Sequence, residues 1–112
     1  MKVAVVGSPD WSDAERLGNV LAKLTKKGDV ILVKGYAKGA GKLAQAWALN
    51  GDKANWREVN VFYQRDGDKG IDAQIYQEAM MLAEADAVIC FGPPGRFVEA
   101  AKVRKKKVKV VQ

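Results

Sequence analysis

The sequence predicts a three-layer α/β sandwich, Rossmann-like or flavodoxin-like, on a five-stranded parallel sheet. Three observations predict it. Short valine-rich runs alternate with helical periodicities along the whole chain. The runs are apolar throughout rather than at every second residue, as strands covered on both faces require. Glycine-bearing loops follow three of the strands, where open parallel sheets hold their ligands.

Taken in order, "KVAVV" (2–6) reads as the first buried strand. In "SDAERLGNVLAKLTKKG", Ser12 stands three residues before Glu15, the spacing of a capping box. Leu17, Val20, Leu21 and Leu24 then recur at helical spacing, and Gly28 is the stop. "DVILV" (29–33) is the second strand. "GAGKLAQAWALNG" is a helix burying Leu43, Ala44, Ala46 and Trp47, with Gly51 after its end. "EVNVFYQ" (58–64) is the third strand, and Asp72 caps the helix "AQIYQEAMMLAEA". Met80, Met81 and Leu82 cannot all face inward on that helix, so one is exposed and a homodimer interface is expected. "DAVICF" (86–91) is the fourth strand, with Cys90 as a small inert hydrophobe. "RFVEAAKVRKK" is the fourth helix and "VKVVQ" the fifth strand. The longest loops are 52–57, which holds Trp56, and 65–71.

A chain of 112 residues is one domain, 1–112, with enough buried surface for a single core. A single cysteine excludes an internal disulfide framework. The absence of histidine removes the commonest metal ligand and general base, which argues against zinc or triad enzymes. No cofactor or metal is implied. "MKVAVVG" is too short for a signal peptide or a membrane span, so a soluble cytoplasmic protein without a membrane partner is expected. The net charge of +6 resides in residues 96–112, where seven basic residues oppose Glu99. Lys102, Arg104, Lys105, Lys106 and Lys107 form the centre of that block, with Lys109 beyond. They are either a footprint for nucleic acid or a solvated helix end that favours the macrodipole.

The unusual loops are "GSPDW" (7–11), "KGYAKGAGK" (34–42) and "GPPGR" (92–96). Glycines let a backbone approach a ligand, and the following helix N-termini offer free N–H groups to an anion. Lys38, Lys42 and Arg96 add positive charge. The candidate ligand-binding set is Gly7, Ser8, Asp10, Trp11, Gly35, Lys38, Gly39, Gly41, Lys42, Gly92, Gly95 and Arg96. Residues 39–44 fit a loose Gly-x-Gly-x-x-Gly/Ala pattern, but after the second strand rather than the first. They are not a Walker loop, since Leu43 stands where a magnesium-binding hydroxyl is needed. Trp11 is placed either to stack on a base or to lid the first helix.

The same loops resemble those of the SLOG superfamily, in particular its small YspA-like single-domain members. That superfamily also includes the LOG-type phosphoribohydrolases and the DNA-binding protein DprA. The resemblance lies in "GSPDW", "KGYAKGAG", "YQEAM", "EADAVICF" and "GPPGRF", and spans nearly the whole chain. It implies a nucleotide or sugar-phosphate site at those loops. Pro9, Lys38, Tyr76 and Arg96 depart from the family's usual residues at motif positions, as do Gly41, Gln77 and Phe97. Arginine forks grip phosphate in a bidentate way that lysine does not reproduce. The expectation is therefore a nucleotide-binding module without efficient catalysis. The alternatives are an N-glycosidic hydrolase using Glu99 and Asp10 as its carboxylates, or a nucleic-acid-binding or protein-interaction module using the basic C-terminal segment.

Overall fold

The computed structural model describes residues 1–34, 38–50, 59–62 and 70–112. The elements are β1 (Lys2–Gly7), α1 (Ala14–Lys26), β2 (Val30–Lys34), α2 (Ala40–Asn50), β3 (Val59–Phe62), α3 (Gly70–Glu84), β4 (Ala87–Phe91), α4 (Arg96–Val103) and β5 (Lys107–Val111). The α/β class and the parallel sheet are as expected. The strand order is β3-β2-β1-β4-β5, with every neighbouring pair parallel. This is the Rossmann order and not the flavodoxin order, which places the second strand at the edge.

β1, β2 and β4 bury residues on both faces, which explains their unbroken apolar composition, while β5 at the sheet edge leaves Lys107 and Lys109 exposed. In β4, Ala87, Ile89 and Phe91 face α1 and α2, while Val88 faces α3 and α4. All five β4 residues are buried, Cys90 among them. Leu17 and Leu21 of α1 are fully buried on the first face, with Val20 and Leu24 packed beside them. Each fully buried leucine contributes roughly 1.5–3 kcal/mol. On α2, Ala40, Gly41 and Ala44 are buried and Leu43, Ala46 and Trp47 half-buried. Met81, Leu82, Ala85, Phe97 and Ala101 form the second core with Ala4 and Leu32. Met80 is the exposed member of its trio.

The helix starts differ from expectation. Asp13, not Ser12, caps α1: its Oδ1 accepts from the Arg16 amide at 3.0 Å. Both residue types suit the cap, and the Ser12 carbonyl instead accepts from the Ala14 amide. α3 begins at Gly70, so Asp72 lies inside the helix rather than at its cap, and residues 70 and 71 of the expected loop are helical. α4 ends at Val103 rather than running through the lysines, and β5 begins at Lys107. Gly28 does end α1. At φ +91 it allows its own amide to reach Thr25 O and the Asp29 amide to reach Leu24 O, a Schellman closure. Loop 52–57 with Trp56, Gly51, the rest of 65–71, and residues 58, 63 and 64 of the third expected strand lie outside the described residues. No helix among the described residues is long and apolar enough to cross a membrane.

Candidate functional site

In this strand order the direction in which successive strands are added reverses between β1 and β4, and ligands of such sheets sit outside the carboxyl ends there. The loop after β1 and the loop after β4 leave from that point. Ser8 is where they meet. Its amide donates to Phe91 O at 2.8 Å, extending the β1–β4 ladder by one bond. Its carbonyl accepts from the Trp11 amide at 3.2 Å and from the Ala40 amide, at the start of α2, at 3.3 Å. Its hydroxyl accepts from the Asp10 amide at 3.1 Å.

Two glycines make this convergence possible. Gly39 has φ +60, and a Cβ there would overlap the Ser8 carbonyl oxygen and the Pro9 backbone. Gly92 has φ +97, and a Cβ would come within 3.0 Å of the Ser8 Cβ and 3.7 Å of the Trp11 ring. Left-handed backbone and close approach together exclude a side chain at both. Gly7, at the end of β1, pairs with Phe91 in the sheet. Thus three strand-end loops, represented by Ser8, Gly39 and Gly92, come together at one end of the sheet. Gly35 lies outside the described residues.

The charged candidates are placed unequally. Lys38 and Lys42 are exposed. Arg96 is engaged: Nε donates to Glu78 Oε2 at 2.9 Å and Nη2 to Oε1 at 3.1 Å. That hydrogen-bonded carboxylate raises the guanidinium pKa above its already high value. Gly95 is the N-cap of α4, with no side chain capping the helix and open space around the position of a Cβ. Gly41 is buried in the first turn of α2. Asp10 is exposed. Trp11 is half-buried: its ring lies 5.3 Å from Phe91 at an interplanar angle of 58°, and its Nε1 donates to Asp13 O at 3.1 Å. Ring and N–H are thus both engaged by the protein, the ring on Phe91 of β4 and the N–H at the start of α1.

Glu99 lies on the outer face of α4, 71% exposed, with Lys102 Nζ at 3.9 Å. Phe97 and Ala101 mark the buried face of the same helix. At motif positions on α3, Tyr76 is exposed and Gln77 buried.

The basic segment lies elsewhere. Lys107 is level with Ala87 at the start of β4, and Ala87 with Val3 at the start of β1. Arg104, Lys105 and Lys106 form the turn before it. The block therefore sits at the amino end of the sheet, opposite Ser8 and Gly92. Residue patterns did not reveal Glu78 as the partner of Arg96, or Ser8 as the hub. The first is a contact across eighteen residues of sequence, and the second acts largely through backbone atoms.

A family model described as YAcAr, the YspA, cpYpsA-related SLOG family, matches residues 1–61. No curated protein matches the chain. Among solved structures, the chain is similar to DNA processing protein A from Helicobacter pylori, described for its single-stranded DNA binding mode. The TM-score is 0.72 at 19% identity, covering 98% of this chain and 64% of that one. The likeness is one of fold, and this chain spans under two-thirds of that structure's length.

Proposed function

The chain belongs to the YspA, cpYpsA-related SLOG family, and from that premise we propose that it binds a nucleotide or related sugar phosphate at the carboxyl ends of β1, β2 and β4. One observation carries this: two left-handed glycines, Gly39 and Gly92, pack against Ser8 and bring three strand-end loops to the switch point of the sheet. Such an arrangement aims helix N-termini at an anion.

The Ala40 amide is bonded to Ser8 O, so the Gly41 and Lys42 amides of α2 and the open first turn of α4 are the donors a phosphate would meet. Lys38 and Lys42 supply the positive charge. Trp11 forms one wall through its exposed edge, and Asp10 stands at the rim for a ribose hydroxyl. This is binding without efficient chemistry. Glu99 faces solvent and pairs with Lys102, and no step of bond cleavage is assigned to it or to Asp10.

Isothermal titration with mono-, di- and cyclic nucleotides tests this. One of them is expected to bind with a dissociation constant in the micromolar range, about −8 kcal/mol, and Lys42→Ala to weaken it. Absence of heat with every nucleotide overturns it.

A second reading is that the phosphate held there belongs to a single DNA strand. It is favoured by the fold likeness to DNA processing protein A, itself described as binding single-stranded DNA. Competition between a mononucleotide and an oligonucleotide for the same loops distinguishes the two. Self-association through the outer face of α3, where Ile75, Tyr76 and Met80 are exposed, is a further proposal that light scattering tests. A monomer at micromolar concentration removes it.

A further inference from the structure

The α4–β5 turn and the edge strand after it hold five cations in six positions: Arg104, Lys105, Lys106, Lys107 and Lys109. Lys106 is half-buried and the other four are exposed. None has an acidic partner among the described residues; the ion pair at this end of α4 joins Lys102 to Glu99 instead.

The turn has the same closure as the end of α1. The Lys105 amide donates to Lys102 O at 3.0 Å and the Lys106 amide to Ala101 O at 3.0 Å. In α1 the corresponding bonds run from Gly28 to Thr25 and from Asp29 to Leu24. The residue at the left-handed position is glycine in α1, at φ +91, and lysine in α4, at φ +57. Lys105 is the non-glycine residue at positive φ among the described residues. Glycine is favoured there because a Cβ crowds the carbonyl oxygen.

Ordinary roles account for part of the block. Arg104 and Lys102 suit the negative end of the helix dipole. Lys107 and Lys109 protect an edge strand from pairing with another chain. Neither role asks for a lysine at 105, where folding prefers glycine. Lys107 and Lys109 also share one face of β5 with Val111, level with Ala87 and Ile89. The cations thus continue from the turn onto that face of the sheet.

We propose that this turn and edge strand bind the phosphate backbone of nucleic acid, without sequence preference. The surface is separate from the strand-end cradle, about 15 Å away along strands of about 3.3 Å per residue. The apolar neighbours exposed beside it are Val103 and Val110. Single-strand binders add aromatic platforms for bases. A basic surface without them grips phosphates alone, so duplex is expected to bind at least as well as a single strand.

Fluorescence anisotropy with labelled duplex and oligo-dT, between about 50 and about 200 mM salt, tests this. The expected slope of log affinity against log salt for duplex is about −2.7 to −4.5, as three to five phosphate contacts give. Lys105→Gly is expected to raise the melting temperature by about 3–5 °C, weaken binding about threefold to tenfold, and reduce the slope by about 1. Lys107→Glu with Lys109→Glu is expected to abolish binding while the fold is retained by circular dichroism. Excess AMP is expected to leave binding unchanged. Absence of duplex binding at the lowest salt, a flat salt response, wild-type affinity in Lys105→Gly, or equal affinity for poly-glutamate overturns the proposal. Displacement by AMP overturns it too, by assigning the binding to the cradle. Nucleotide titration of the cradle succeeds or fails independently of all of these.

Discussion

Arg96 and Glu78 form a two-pronged pair, Nε to Oε2 at 2.9 Å and Nη2 to Oε1 at 3.1 Å, that ties the start of α4 to the middle of α3. The arginine stands beside the open N-cap at Gly95 but its fork is directed at a carboxylate, the ligand shape it fits best. Glu78→Gln removes the charge and keeps the shape. The released guanidinium is then available to a phosphate at the cradle, and nucleotide affinity by calorimetry is expected to rise about threefold to tenfold. Because Arg96 is half-exposed, the accompanying loss of stability is expected to stay below about 1 kcal/mol. Unchanged affinity would show that Arg96 does not reach the ligand.

Gly39 and Gly95 make opposite predictions for the same kind of substitution. Gly39→Ala places a Cβ on the Ser8 carbonyl at a left-handed φ, and neither backbone segment yields without breaking the Ala40–Ser8 bond. A loss of at least about 2–3 kcal/mol is expected in urea unfolding. Gly95→Asp meets open space and supplies the side-chain cap that α4 lacks, gaining roughly 0.5 kcal/mol. The same carboxylate occupies the anion end of the helix, so nucleotide affinity is expected to fall about tenfold or more in this more stable variant. Equal nucleotide binding in Gly95→Asp and the parent would move the ligand away from α4.

The parallel α/β architecture was legible because period and composition agree: β4 is apolar on both faces and buried on both faces. The strand order was not, since pairing β1 with β4 depends on packing across eighty residues. Capping residues were ambiguous at close range: Ser12 and Asp13 are both good caps, and the helix took the second. The loops that converge at one end of the sheet were readable from the glycines that follow their strands. Their wiring was not. Ser8 joins the loops mainly through its amide and carbonyl, which have no residue type to signal them, and Glu78 meets Arg96 only in the folded chain. Lys105 was hidden for another reason: nothing in a lysine announces a left-handed backbone.

Trp11 sits at the rim of the core, and the proposed cradle uses it as a wall. Its ring packs on Phe91, and its N–H is bonded to Asp13 O, the carbonyl of the residue that caps α1. Trp11→Ala removes the aromatic pair and part of the burial, and about 2 kcal/mol of stability is expected to go with it. Trp11→Phe keeps the ring contact and loses the N–H bond, with an expected cost of about 1 kcal/mol. If nucleotide affinity survives Trp11→Phe and drops about tenfold in Trp11→Ala, the residue serves the ligand as an apolar wall. Loss of stability with no change in affinity leaves it a lid alone.

Cys90 gives the molecule a pH signature on the alkaline side. The thiol is buried in β4, with its sulfur 3.7 Å from Gly92 O and 3.9 Å from Pro93 O. Burial raises its pKa, because the thiolate loses its hydration. In the unfolded chain the thiol ionises near the ordinary value of about 8.5. Between that value and the raised native one, the native state binds the extra proton, so stability must fall as pH rises. Below about pH 8 both states carry the neutral thiol and the contribution is flat. Cys90→Ala is therefore expected to flatten the decline in urea midpoint between about pH 8 and pH 10, relative to the parent. The same burial withholds the thiolate, so native protein is expected to react with a thiol reagent at pH 8 only at its rate of opening, and at once in denaturant. Rapid labelling of the folded protein would place Cys90 at the surface and remove both expectations together.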